Sequence, residues 1–204
     1  MSIRKVARMG HPVLREKARH LTDEEIRSPW LEDLLEDMVD TMEEYGGIGL
    51  AAPQIHESVA VAIIDYQDDH PKYRDTDSRE KKKNAADARR SIPLSVFINP
   101  KITVLDPKEQ GYWEGCLSVP EIRGLVHRPR KIRVDYLNQE GEKKSIVAED
   151  FLATVFQHEL DHLDGTLFVD RIRNAPGATP IAFTDEYAKY LVPSEDDEIG
   201  ELAD

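Results

Sequence analysis

The chain has 204 residues, which is enough for one domain with a hydrophobic core and short tails. Its formal net charge of −13 argues against a nucleic-acid-binding surface, because phosphate binding requires a basic field. No apolar run approaches the length of about 18 residues that indicates a membrane span, and the N-terminus lacks the apolar core of a secretory signal. The single cysteine, Cys116, excludes an internal disulfide and fits a reducing compartment. We therefore expect a cytoplasmic protein without nucleic-acid or membrane partners.

The first strongly periodic segment is an amphipathic helix. Residues 1–27 are mixed in character, and turns are expected around Gly10 and Pro12. Ser28 and Pro29 are typical of an N-cap followed by proline at the first helical position. Leucine, methionine and valine then recur at spacings of three and four, which predicts a helix from Pro29 to about Tyr45.

The middle of the chain carries several strand signals. The glycine- and alanine-rich stretch 47–54 permits close backbone approach but lacks the lysine of a phosphate loop. Strands are predicted at 58–65, 94–100, 101–105 and 112–120, and a hairpin pairs 130–137 with 143–148. The charged segment 66–93 has almost no large apolar residues and reads as an exposed insertion loop. Residues 173–204 are predicted to form an acidic tail, which leaves a single domain over 1–172.

The last helix carries the sequence H-E-x-x-H. Two histidines four residues apart, His158 and His162, lie on one face of a helix and can offer two imidazole nitrogens to one metal ion. Glu159 between them is placed to take a proton from a water at that ion. With the preceding segments, this helix predicts an α+β fold of mostly antiparallel sheets packed around a central C-terminal helix.

Two histidines leave the third ligand open. A metzincin requires a histidine where this chain has Phe168, so that class is excluded. A downstream glutamate, Glu186, lacks the supporting apolar helix of a thermolysin-like site. Cys116 is the remaining candidate, because a thiolate binds zinc or ferrous iron strongly. Taken alone, a free cysteine is more often a small buried hydrophobe than a ligand.

Three segments together resemble the motifs of the peptide deformylases. They are Gly-Ile-Gly-Leu-Ala-Ala-Pro-Gln at 47–54, Glu-Gly-Cys-Leu-Ser at 114–118 and Gln-His-Glu-Leu-Asp-His-Leu-Asp-Gly at 157–165. They stand in the family's order, and the resemblance covers about residues 1–172. Three separate motifs are far more specific than one H-E-x-x-H.

The resemblance implies roles for particular residues. The metal ligands would be Cys116, His158 and His162, and Glu159 would be the general base and acid. The Gln54 side chain and the backbone N–H of Leu117 would stabilise the oxyanion, although an ordinary polar loop residue would look the same at position 54. The substrate-binding residues would be Ile48, Gly49, Gly115, Arg123, Phe151 and Val155. A solvated surface arginine is an equally good interpretation of Arg123.

The resemblance also implies a substrate and a cofactor. Family members remove the N-formyl group from the initiator methionine of new polypeptides, using one divalent metal ion. Ferrous iron is expected in the cell, and zinc, nickel or cobalt can occupy the site in purified protein. The acidic tail departs from members whose basic C-terminal helix contacts the ribosome, so ribosome contact through this end is not expected. The sequence leaves monomer and homodimer open.

Two alternative functions follow from the same motif. A zinc-dependent peptidase would use the same chemistry on internal peptide amides. A metal- or peptide-binding module without turnover would close the fourth coordination position with another ligand, and Glu159 speaks against it.

Overall fold

The computed structural model describes residues 2–67, 91–173 and 181–183. Within these ranges, three helices and six strands follow one another. They are α1 (Asp23–Ile26), α2 (Pro29–Glu44), β1 (Gly49–Ala51), β2 (Val61–Tyr66), β3 (Ile92–Cys116), β4 (Val119–Leu137), β5 (Lys143–Glu149), α3 (Asp150–Leu163) and β6 (Ile181–Phe183). Short 3-10 turns span Pro12–Arg15, Ala52–Ile55 and Phe168–Arg171.

The strands form one antiparallel sheet in the order β1-β2-β3-β4-β5, and β6 pairs with the first part of β4. This confirms the predicted α+β class with mostly antiparallel pairing. The hairpin predicted from 130–137 and 143–148 is present, with Leu137 opposite Lys143 and Lys131 opposite Glu149.

The strands predicted at 94–100, 101–105 and 112–120 are wrong in their boundaries. They merge into the single strand β3, apart from the last residues of the third, which begin β4. Register shifts along the β3–β4 ladder, for example between Asp106 and Glu109, let the pairing continue past Pro107. Such bulges absorb residues that otherwise end a strand.

Helices α2 and α3 lie on opposite faces of the sheet. Alternate residues of β2 point to opposite sides, so Val61 and Ile63 pack with α2, whereas Ala62 and Ile64 pack with α3. Ser28 occupies the N-cap position of α2 as predicted, but its hydroxyl donates to the Glu25 carbonyl instead of capping the helix.

Helix α3 is central and buried on nearly all sides. Phe156 is fully buried and meets Phe97 of β3 edge to face, with ring centroids 4.8 Å apart. The C-terminal end of the helix is anchored where the Ala18 N–H donates to the Leu163 carbonyl at 2.8 Å. Gly165 follows with φ +72°, and a Cβ there would lie 2.7 Å from the Arg15 carbonyl carbon. The helix is therefore held in one position along its axis.

The N-terminal segment, residues 2–9, lies outside the helices and strands, and a 3-10 turn at Pro12–Arg15 stands where a turn was expected. The Arg4 side chain donates to Asp37 of α2 at 2.7 Å. Helix α1 was not predicted, although Thr22 and Glu25 form a capping box that is readable in the sequence.

Two predicted segments fall mainly outside the described ranges. The insertion loop 66–93 includes residues 68–90, and the tail 173–204 includes 174–180 and 184–204. Within the tail, residues 181–183 form strand β6. No helix in the described part of the chain is both long and apolar enough to cross a lipid bilayer.

Candidate metal centre

Three potential metal ligands converge between the end of β3 and helix α3. One donor atom from each of Cys116, His158 and His162 lies within 4.8 Å of the other two. The Cys116 Sγ and His162 Nε2 atoms are 3.3 Å apart. The structure therefore brings together the three residues that the motifs had suggested as ligands.

Local geometry explains how each ligand reaches this point. His158 and His162 are one helical turn apart on α3, and their ring centroids are separated by 5.2 Å. Cys116 is the last residue of β3 and pairs with Val119 across a tight turn. Phe168, which occupies the position of a metzincin's third histidine, is buried and stacks on the His158 ring. Glu186 lies outside the described ranges.

A buried ionic network supports the first histidine. The His158 Nδ1 atom lies 2.8 Å from the Glu114 carboxylate, which leaves Nε2 directed at the ligand cluster. Arg128 of β4 donates to Glu114 at 2.6 and 3.0 Å and to Asp161 at 2.8 Å. Sequence reasoning missed Glu114 and Arg128. The one available signal was that residues 114 and 116 share a face of a strand.

This network fixes the charges of its members. Burial raises the pKa of Glu114, but hydrogen bonds from His158 and Arg128 outweigh it and hold that pKa below its usual value. Burial lowers the pKa of Arg128, and its carboxylate partners, Glu114 first, more than offset this effect. Glu114 is therefore ionised and accepts the proton of His158 Nδ1.

The surroundings of the sulfur favour its ligand-binding form. Burial raises the pKa of the Cys116 thiol, but the electrostatic effect of His162 and hydrogen bonds from both histidines hold it well below its ordinary value. Thiolate is the form of cysteine that binds metals. A thiolate and two imidazoles are a donor set that suits zinc or ferrous iron, so the residues fit a divalent metal ion.

Glu159 lies beside the cluster, on the same helix. Burial raises the pKa of its carboxyl group, and its Oε2 atom has no hydrogen-bond partner among the residues that the structure describes. A Cβ on Gly49 would lie only 2.6 Å from the Glu159 Oε1 atom. Glycine at position 49 therefore makes room for this carboxylate.

The Gln54 side chain reaches the cluster from the 3-10 turn that follows β1. Its Oε1 atom accepts the Ala51 N–H at 2.8 Å, which directs the Nε2 atom towards Cys116 Sγ (3.5 Å) and Ser118 Oγ (3.3 Å). Leu117 lies in the turn directly after Cys116. Both predicted oxyanion donors are thus adjacent to the sulfur.

A cavity of about 360 Å³ opens onto two of the three ligands, Cys116 and His158. All six predicted substrate-binding residues border it: Ile48, Gly49, Gly115, Arg123, Phe151 and Val155. Its lining also includes Tyr45, Trp113, Glu121 and Thr154, which sequence reasoning did not select. The Arg123 guanidinium covers Gly115, where a Cβ would lie 2.5 Å from its Nη1 atom.

Comparison with known proteins agrees with this geometry. The family model described as polypeptide deformylase matches residues 3–176. A peptide deformylase of Leptospira biflexa is 37% identical over 174 residues, covering 85% of this chain and 90% of that protein. One from Caldanaerobacter subterraneus is 40% identical over 172 residues, covering 84% and 91%.

Solved structures give the same result. The class I type b peptide deformylase of Acinetobacter baumannii, solved with Met-Ala-Ser bound, superposes with a TM-score of 0.73 at 36% identity, covering 84% of this chain and 99% of that one. The Thermotoga maritima peptide deformylase superposes with a TM-score of 0.68 at 33% identity, covering 85% and 100%. The chain therefore belongs to the polypeptide deformylase family, whose reaction removes the N-formyl group from new polypeptides.

Proposed function

We propose that Cys116, His158 and His162 hold one divalent metal ion and that Glu159 moves the proton in deformylation. The observation that carries this proposal is the convergence of the three donors within 4.8 Å, with the buried Glu159 carboxylate beside them. When bound, such an ion activates a water as nucleophile and polarises the neighbouring carbonyl.

Glu159 acts as general base and then as general acid. Its carboxylate takes a proton from the attacking water and returns it to the departing amine nitrogen, which becomes the new N-terminus. The close approach of Gly49 leaves little room for Glu159 to turn away. The products are formate and a free α-amine.

Gln54 and Leu117 stabilise the negative charge that develops on the formyl oxygen. The Gln54 amide donates through Nε2, because its Oε1 is already occupied by the Ala51 N–H. The backbone N–H of Leu117 is the second donor. Loss of one preorganised donor of this kind typically slows the reaction by about 100-fold or more.

The cavity determines which peptides react. Ile48, Phe151 and Val155 form an apolar wall that suits the methionine side chain. Gly49 and Gly115 border the cavity and present backbone groups to the peptide, and Arg123 contacts the peptide backbone. The A. baumannii relative was solved with Met-Ala-Ser bound. We infer that formylated peptides beginning with methionine, including nascent chains, occupy this cavity.

Ferrous iron is the proposed ion in the cell, and zinc, nickel or cobalt can replace it. A thiolate beside ferrous iron is open to oxidation, so the iron form should lose activity in air while the nickel form retains it. Metal analysis and deformylation assays on protein prepared with and without oxygen measure this. Equal activity of the two iron preparations would contradict the assignment.

The role of Glu159 is tested with the variant Glu159→Gln. It should keep the full metal content and lose deformylation of formyl-Met-Ala-Ser, because glutamine cannot carry the proton. Glu140→Gln, at an exposed position in the β4–β5 turn, is the matched control and should behave as wild type. A fully active Glu159→Gln would refute the mechanism. Assaying an unformylated internal peptide in parallel separates deformylation from peptidase activity.

A further inference from the structure

The N-terminal segment crosses both loops that carry the proposed oxyanion donors. The Ala7 N–H donates to the Gln54 carbonyl at 2.7 Å, and the Met9 N–H donates to the Ser118 carbonyl at 2.8 Å. Between them, the Arg8 Nη1 atom donates to the Leu117 carbonyl at 2.8 Å. Three consecutive residues therefore connect the loop of Gln54 to the turn of Leu117.

The Arg8 bond acts on one particular peptide plane. The carbonyl of Leu117 accepts from the guanidinium, and the N–H at the other end of the same peptide unit, that of Ser118, donates to Cys116 Sγ at 3.4 Å. The 117–118 plane is held at both ends, which limits rotation about the Leu117 Cα, the atom that joins this plane to the 116–117 unit carrying the Leu117 N–H. Hydrogen bonds in series also polarise one another, which links the guanidinium to the sulfur.

The segment is anchored well enough to hold Arg8 in place. Upstream, the Arg4 N–H donates to Thr41 Oγ1 at 2.9 Å and its side chain donates to Asp37 at 2.7 Å. Val6 and Ala7 are buried. The Arg8 side chain is exposed and forms no ion pair among the residues the structure describes, so its clearest function is the bond to Leu117.

We propose that Arg8 is a positioning residue for deformylation, which orients the 117–118 peptide unit. Together with the backbone of Ala7 and Met9, it holds the two oxyanion donors at a fixed position relative to each other. This inference rests on the proposed function, because it assumes that Gln54 and the Leu117 N–H stabilise the transition state. Arg8 is not among the residues that line the cavity. Its removal should therefore cost less than the loss of a donor, about tenfold in kcat with KM unchanged.

The test uses the full-length, metal-loaded protein with formyl-Met-Ala-Ser. Arg8→Met removes the donor and keeps the aliphatic stem, Arg8→Lys restores one donor, and Lys5→Met is the control, an exposed cation in the same segment. The expected result is about a tenfold lower kcat for Arg8→Met, substantial recovery for Arg8→Lys and no change for Lys5→Met. KM should stay within about twofold throughout, because ground-state binding is not involved.

A second measurement does not depend on turnover. Amide hydrogen exchange in the metal-free protein should be at least about fivefold faster at Ser118 in Arg8→Met than in Lys5→Met, because the 117–118 unit is then free to rotate. The inference is overturned if kcat of Arg8→Met matches that of Lys5→Met, or if Ser118 exchange is unchanged.

The variant Gln54→Met separates this inference from the proposed function. If Gln54→Met keeps its kcat, the donor role itself is wrong and the inference fails with it. If Gln54→Met loses about 100-fold and Arg8→Met loses nothing, only the positioning role of Arg8 is wrong.

Discussion

Replacing Glu114 with glutamine tests the ionic network behind the metal ligands. The Glu114 side chain is only 3% exposed, accepts two hydrogen bonds from Arg128 and lies 2.8 Å from His158 Nδ1. Glutamine keeps the size of the side chain and removes its charge. The change leaves a buried guanidinium with one carboxylate, Asp161, and leaves the histidine without an ionised acceptor.

Both consequences have an expected size. Removing one partner of a buried ion pair typically costs about 3–5 kcal/mol. Because Arg128 keeps its bond to Asp161 at 2.8 Å, we expect the free energy of unfolding of the metal-free protein to fall by roughly 2–3 kcal/mol. Loss of the carboxylate that orients a metal-ligating histidine typically weakens metal affinity by about 10- to 100-fold.

Urea unfolding of the metal-free protein and competitive zinc titration measure the two effects. Glu109→Gln is the matched control, because Glu109 also binds an arginine, Arg173, but at the surface. Exposed pairs contribute less than about 1 kcal/mol, and this one touches no ligand. If Glu114→Gln loses no more stability than Glu109→Gln, or binds zinc as tightly as wild type, the network does not support the site.

Three further predictions concern the cavity and the N-terminal anchor. Gly49→Ala should keep its full metal content and lower kcat by about 100-fold in steady-state assays, because the added Cβ would displace Glu159. A normal kcat would show that catalysis does not need Glu159 in the position seen here. Val155→Glu should abolish turnover of formyl-Met peptides while metal analysis shows an intact site, since it places a charge in the apolar wall. Hydrogen bonds from Arg4 and Ser2 outweigh burial and lower the pKa of Asp37 below its ordinary 3.8. The ionised Asp37 therefore stabilises the fold above pH 3.8, and this stabilisation is lost as the pH falls through the pKa of the folded state. In urea titrations at pH 7, the free energy of unfolding of Asp37→Asn should therefore be lower than that of wild type by roughly 1 kcal/mol. This difference in stability should narrow below pH 3.8. A difference that persists in acid would show that the ionised Asp37 is not its cause.

Local rules were sufficient for part of the site. Helix α3 and the shared face of His158 and His162 follow from a spacing of four residues. Identifying Cys116 as a ligand required the resemblance of three motifs, because the spacing between residues 116 and 158 does not predict that the two side chains meet. The role of Gln54 could not be predicted from local rules either, since the orientation of its side chain depends on the hydrogen bond from the Ala51 N–H to its Oε1 atom.

Other features depend on contacts that a linear sequence does not express. Strand β3 continues through Pro100 and Pro107, which normally end a strand, because register shifts against β4 accommodate them. Arg128 lies outside every strand predicted from the sequence, and only the fold places it between Glu114 and Asp161. These residues were missed because their roles come from partners that are distant in sequence.

The same contacts predict how the protein responds to metal removal. Glu114 of β3 binds His158, and Arg128 of β4 binds Asp161, so two ionic bridges join strands β3 and β4 to helix α3 without any contribution from the metal ion. The ligand geometry should therefore persist when a chelator removes the metal. Activity should vanish, the near-ultraviolet circular dichroism should stay native, and added nickel should restore turnover without a slow refolding phase. A zinc finger, in which the metal itself drives folding, would unfold instead. Cooperative loss of the near-ultraviolet signal on chelation would show that the ion, and not these bridges, holds strand and helix together.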